Sequence, residues 1–145
     1  MRPALALAVV GTLAFAVAAG AHSAVSVPGI RTPTGNIRCV FAARTDPRNS
    51  GGLYCSIGRA DYAARMHAGC AGLDWHGWVV SGFSIPQPVC SGGALWFGTP
   101  RYRTLAYGHT WRRASYTCRS ARTGLTCTNP AGHGLFISRE RWRSW

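Results

Sequence analysis

The sequence predicts an all-β fold, mainly antiparallel, braced by disulfides and containing at most one short helix. Three observations predict it. Short stretches alternate apolar and polar residues with a period of two, as half-buried strands do. They recur roughly every 8–12 residues between turns rich in Gly and Pro. Six cysteines, an even count, are spread through the same region.

Taken in order, the chain opens MRPALALAVVGTLAFAVAAGAHSA. Arg2 supplies a short positive region, residues 4–18 an uncharged apolar run, and small residues follow. Residues 1–24 therefore read as a secretory signal peptide, with cleavage expected after Ala21 or Ala24. The alternative, an N-terminal membrane anchor, is disfavoured because the run falls short of the ~20 residues a spanning helix needs. The mature protein is expected to be secreted. Residues 25–33, small and polar with two prolines, read as an extended lead-in, and residues 34–145 as a single disulfide-stabilised β-rich domain.

Thr34-Gly35-Asn36 is a turn. Ile37, Cys39 and Phe41 then share one face, and Leu53, Cys55 and Ile57 share another after the loop at 45–52. Residues 60–68 form the one candidate helix, with Tyr62 and Met66 on one side and Gly69 ending it. Residues 78–80 open a strand, residues 84–88 are an extended linker, and Ser91-Gly92-Gly93 is a turn. Residues 94–97 are a short apolar run broken by Gly98-Thr99-Pro100. The most informative stretch is the C-terminal one. Tyr116, Cys118, Leu125 and Cys127 alternate with polar residues about a loop ending in Gly124, so Cys118 and Cys127 face each other if the strands pair. Residues 129–134 are a turn, and Leu135-Phe136-Ile137 is a last apolar run.

In an exported chain the cysteines form a disulfide framework. The sequential pairing Cys39–Cys55, Cys70–Cys90 and Cys118–Cys127 is favoured because each bridge closes a short loop. No CxxC pair exists, and no two histidines stand at i, i+2 or i, i+4. No metal site and no cofactor are expected. All 16 basic residues are arginine, against Asp46, Asp61, Asp74 and Glu140, giving a formal net charge of +12. That charge fits an anionic partner, an envelope polymer or a membrane surface. The same charge could serve solubility alone, and the arginine bias could be codon composition. The basic residues are scattered, which argues against a dedicated nucleic-acid face. A monomer is expected.

TPTGNIRC (32–39), LYCSI (53–57), Cys70 with LDW (73–75), LAYG (105–108), YTC (116–118) and GLTCTNPAGHGLFISRE (124–140) occur in that order. Together they resemble a family of small exported actinobacterial proteins known only as a domain of unknown function. Its pattern runs SPSGNIxC, CDI, CxxDWG, CxGDT, LxYG and GxTCTNxxGHGFxLSR. The resemblance covers about residues 32–142 and implies export, disulfides and one compact domain, with no established activity. The chain departs from the pattern at Ser56 and at Ser91-Gly92-Gly93, where the family carries acids, and at His76, where it carries glycine. A mechanism that used those acids has no counterpart here.

Candidate chemistry is sparse. His133, between two glycines, is a general acid or base if a carboxylate or second imidazole lies beside it; Asp74, Glu140 and His109 are the candidates. The competing reading is a turn histidine whose ring bonds the backbone. Asp74-Trp75-His76 either lines a small pocket or is an Asp capping a turn beside a packed Trp. At the C-terminus Trp142 and Trp145 alternate with Arg139, Arg141 and Arg143, a candidate binding tail for membrane or cell wall. No GxSxG, SxxK or phosphate-binding Gly-rich loop is present, and four acids leave little room for paired catalytic carboxylates. The sequence favours a binding or structural protein of the cell envelope over an enzyme. The first alternative is a small cationic hydrolase, nuclease-like, using His133 with His109 or Glu140. The second is a membrane-active protein working through the Arg/Trp tail.

Overall fold

The computed structural model describes residues 26–43, 51–95 and 98–145. The signal peptide expected at 1–24, most of the loop at 45–52, and Trp96 and Phe97 of the apolar run lie outside the described residues. The described chain begins with strands β1 (Ser26–Arg31), β2 (Ile37–Ala42) and β3 (Gly52–Ile57), followed by helix α1 (Ala63–Ala68). Next come β4 (Asp74–Val80), β5 (Gln87–Ser91), β6 (Thr99–Thr104) and β7 (Thr110–Arg113). The chain ends with β8 (Tyr116–Ala121), β9 (Gly124–Thr128), β10 (Gly134–Ile137) and β11 (Trp142–Ser144). Among the described residues the protein is all-β with one short helix, its strands mostly antiparallel.

Two sheets result. The first is six-stranded in the order β5-β4-β3-β2-β1-β6. Its neighbours are antiparallel except β1 and β6, which run parallel with Ser26 opposite Thr99 and Arg31 opposite Thr104. The second is a five-stranded meander in the order β11-β10-β9-β8-β7. Their inner faces share one core cluster. Cys39 stands opposite Cys55 and Cys118 opposite Cys127, each pair disulfide-bonded across its hairpin with Cα atoms 4.0 and 4.1 Å apart. Burial of these four residues is complete or nearly so. The Sγ atoms of Cys39, Cys55 and Cys127 lie within 4.8 Å of one another, so the two cross-links touch at the centre of the molecule. The third bridge, Cys70–Cys90, ties the end of α1 to the edge strand β5.

Aromatic rings seal one side of this core. Trp75 and Trp78 of β4 pack edge to face at 4.8 Å, Tyr62 contacts both at 6.1 and 6.0 Å, and Trp142 of β11 reaches Trp78 at 5.7 Å. Tyr62 and Met66 are the buried residues of the helical segment, and the Tyr62 hydroxyl donates to the Ser138 carbonyl at 3.1 Å. This bond joins the helix to the second sheet.

Four elements differ from the sequence reading. Residues 78–80 close β4 instead of opening a strand, because the strand already begins at Asp74 and passes a bulge between Trp75 and Gly77. The lead-in at 25–33 contains β1, an interior strand of the first sheet. Thr99 and Pro100, read as part of a break at 98–100, instead open strand β6. It is an edge strand, where a proline such as Pro100 is tolerated and charged side chains keep the edge from pairing with another chain. The C-terminal residues are strand β11 rather than a free tail. Among the described residues no helix is long and apolar enough to cross a membrane.

Candidate functional site

Loops from both sheets meet at one end of the molecule around a cleft of about 670 Å³. The β1–β2 turn contributes Thr32, Thr34, Gly35 and Asn36, and the stretch after β3 contributes Arg59. Tyr107 comes from the β6–β7 loop, Arg122 and Thr123 from the β8–β9 loop, and Ser138, Arg139 and Glu140 from the β10–β11 loop. Three of the six segments that carry the family resemblance, which look unrelated along the chain, thus share one wall.

Each basic group is set by its own anchor. The Asn36 side chain clamps the backbone of Arg59: Oδ1 accepts its N–H at 2.8 Å and Nδ2 donates to its carbonyl at 3.1 Å. Asp61 holds Arg139 twice, donating its N–H to the Arg139 carbonyl at 2.8 Å and accepting from Nε at 3.2 Å. Arg122 lies over the Tyr107 ring at 5.2 Å. Among the described residues neither Arg59 nor Arg122 is ion-paired. The carboxylate lining the cleft, Glu140, accepts the Ser138 hydroxyl at 2.9 Å, while Ser138 Oγ accepts the N–H groups of Glu140 and Arg141, each at 3.2 Å. Below the rim, burial first and the charge of Glu140 second push the Tyr62 phenol well above its ordinary value. The cleft is therefore an arginine-flanked cavity with hydroxyls and amides on its walls. It can hold an anion and donate to polar groups around it.

The sequence candidates are dispersed. Glu140 lines the cleft; His133, His109 and Asp74 do not. His133 precedes β10 and Glu140 follows it, so the two sit at opposite ends of a strand that rises ~3.3 Å per residue. His109 leads into β7, three strands from β10 at ~4.8 Å each, and borders a separate hollow of about 230 Å³ with Thr110 and Trp111. Asp74 is exposed at the start of β4, opposite Ser91, and its neighbour Trp75 is buried with Nε1 donating to the Gly77 carbonyl at 2.8 Å. The corner at His133 is made by another residue. Asn129 Oδ1 accepts the His133 N–H at 2.9 Å, and Asn129 Nδ2 donates to the carbonyls of Ser81 and Ser84 at 2.8 and 3.0 Å. Among the described residues the His133 ring makes no hydrogen bond, which corrects the reading of a ring that bonds the backbone.

The C-terminal candidates part company. Arg139 joins the cleft, and Trp142 turns inward onto Trp78. Trp145 lies flat on Gly134, where a Cβ would collide with its ring, so the second glycine of the GHG motif makes room for a tryptophan. Arg143 covers the Trp145 ring at 4.8 Å and Arg141 the Phe136 ring at 5.6 Å, both on the outer face of the second sheet. Sequence reasoning passed over Arg59, Arg122, Tyr107 and Asn36. One signal was there: in a meander every second loop lies at the same end, which places Arg122 and Arg139 together. Arg59 joins them only through the packing of the two sheets.

The three sulfur atoms grouped at the core belong to disulfides and are not the thiolates a metal takes up. Three bridges fit an oxidising, extracellular environment. No curated protein and no solved structure matches this chain. A family model described as a family of unknown function, DUF6636, matches residues 6–144, and the chain belongs to that family.

Proposed function

We propose that this member of a family without a known activity is an exported binding protein of the cell envelope. Its end cleft would take an acidic group carried on a sugar. The observation that carries the reading is the meeting of Arg59, Arg122 and Arg139, from three separate loops, around one cavity whose lining, among the described residues, holds a single carboxylate, already engaged by Ser138. A guanidinium fork matches a carboxylate or phosphate, and the hydroxyls of Thr34 and Thr123 with the phenol of Tyr107 offer partners to sugar hydroxyls. Binding without turnover is favoured because, among the described residues, no imidazole lines the cleft and its carboxylate has no second acid or base beside it to complete general acid–base work.

Pull-down on isolated cell wall across a salt series tests the reading. Retention is expected to fall with salt, and Arg59→Gln with Arg122→Gln is expected to weaken it at least about tenfold. Retention indifferent to both arginines would sink the cleft as the binding site. Cleavage of wall polymer by the purified protein would overturn binding as the whole of its activity.

A further inference from the structure

The second sheet carries a surface that the cleft does not use. Strand pairing fixes two rows across its outer face. In one row Arg143 faces Phe136, Phe136 faces Thr126, Thr126 faces Arg119 and Arg119 faces Thr110, crossing all five strands. In the next, Trp145 pairs with Gly134 through two backbone hydrogen bonds of 3.0 Å, and the row continues through Thr128 and Thr117 to Arg112. Neither row contains a carboxylate. Each row spans four strand spacings, about 19 Å.

Two features flatten this face. The Trp145 ring lies on Gly134, and the Phe136 ring crosses Gly124, where a Cβ would stand 2.9 Å from it. Guanidinium groups of Arg143 and Arg141 then lie over those rings. The result is a plate with cations at both sides and threonine hydroxyls between them. Its exposed large apolar side chain among the described residues is Trp145, and a guanidinium lies over that ring, a poor match for a bilayer, which takes up several bare apolar side chains. A guanidinium lies over each ring, so a stacking base of a single-stranded nucleic acid has to displace it first. What remains is an array of forked donors and hydroxyls that complements an extended chain with regularly placed acids and many hydroxyl groups.

The geometry points to this outer face as a second binding site, for an acidic polysaccharide lying across the strands. Its carboxylates or phosphates meet Arg143, Arg119 and Arg112, and its hydroxyls meet Thr126, Thr128 and Thr117. The site stands apart from the end cleft and does not rest on it.

The test measures binding of the full mature chain to polygalacturonate, to a phosphate-bearing mannan and to neutral dextran, each over a salt series. Binding to at least one acidic polymer and none to dextran is expected; which of the two binds identifies the acid. Arg119→Gln with Arg143→Gln is expected to weaken binding at least tenfold and to lower the salt slope by about one per arginine removed. Thr117→Glu, which leaves every arginine in place, is expected to weaken it tenfold as well. Arg59→Gln with Arg122→Gln, in the cleft, is expected to leave polymer affinity within twofold. Face variants that bind within twofold of the parent overturn the proposal. So does loss of polymer through the cleft pair alone, an outcome that leaves the cleft reading standing. Tighter binding of a single-stranded oligonucleotide or of anionic vesicles, lost with the same face variants, would also overturn it.

Discussion

Asn129 and His133 divide the work at the last corner of the chain in a way their sequence context disguises. Flanking glycines draw attention to the imidazole, yet the buried amide of Asn129 holds the corner through bonds to Ser81, Ser84 and His133. Truncating it strands two carbonyls and an N–H, so Asn129→Ala is expected to cost about 2–3 kcal/mol. His133→Ala is expected to stay within about 0.5 kcal/mol. Denaturant unfolding of the pair decides this, and equal losses would return the corner to the histidine. Tyr62 allows a second test. Its phenol is held above the ordinary 10.0 in the folded state. The unfolded chain therefore ionises first as pH rises, and this contribution to stability is intact below pH 10 and declines above it. Tyr62→Phe is expected to flatten that alkaline decline in thermal unfolding curves from pH 9 to about 12, at the cost of the bond to Ser138. An unchanged slope would show that Tyr62 is not the titrating group. The two glycines that accept Trp145 and Phe136 were unreadable from sequence, because only the pairing of β10 with its neighbours puts rings over them.

At the scale of elements, legibility followed patterning. β8 and β9 alternate cleanly and β2 and β3 over part of their length, and both hairpins pair with their cysteines opposed, the register that a period of two requires. The helix was marked by Tyr62 and Met66 and ended near Gly69. β6 was hidden because TPRYRT buries almost nothing: an edge strand, exposed along most of its length, has no apolar face to announce it. β1 was hidden by Pro28 and by its lack of alternation. β11 was mistaken for a tail because its tryptophans are two strand faces of one short segment. Trp142 faces the core and Trp145 the outside. Their substitutions should therefore differ. Trp142→Ala is expected to cost about 2–3 kcal/mol through the gap left against Trp78, and Trp145→Ala less than about 1 kcal/mol. Comparable losses, or a shared loss of vesicle binding without a loss of stability, would favour the membrane-tail reading instead.

Across the whole molecule, the candidate site was legible only in fragments. TPTGN, LAYG and the SRE segment were visible as motifs, but their meeting depends on two sheets closing over a common core, which no local pattern encodes. The arginines looked scattered because they are spread over separate loops and strands. In space three of them meet at the end cleft and others lie along a flat outer face, opposite uses of the same residue: convergent in one, laid out in rows in the other.

Sulfur stacked on sulfur at the centre makes the protein's response to reductant a report on its breathing. Cys39–Cys55 and Cys118–Cys127 are sealed between the sheets, whereas Cys90 of the remaining bridge is exposed. An attacking thiolate must reach a sulfur atom in line with its bond. In native buffer the Cys70–Cys90 bridge should therefore open early with dithiothreitol. The inner two should open late and together, at a rate set by separation of the sheets and insensitive to further reductant once that motion is limiting. Mass mapping of alkylated thiols over time would show the order, and early loss of an inner bridge would mean that the sheets part more readily than their shared core implies.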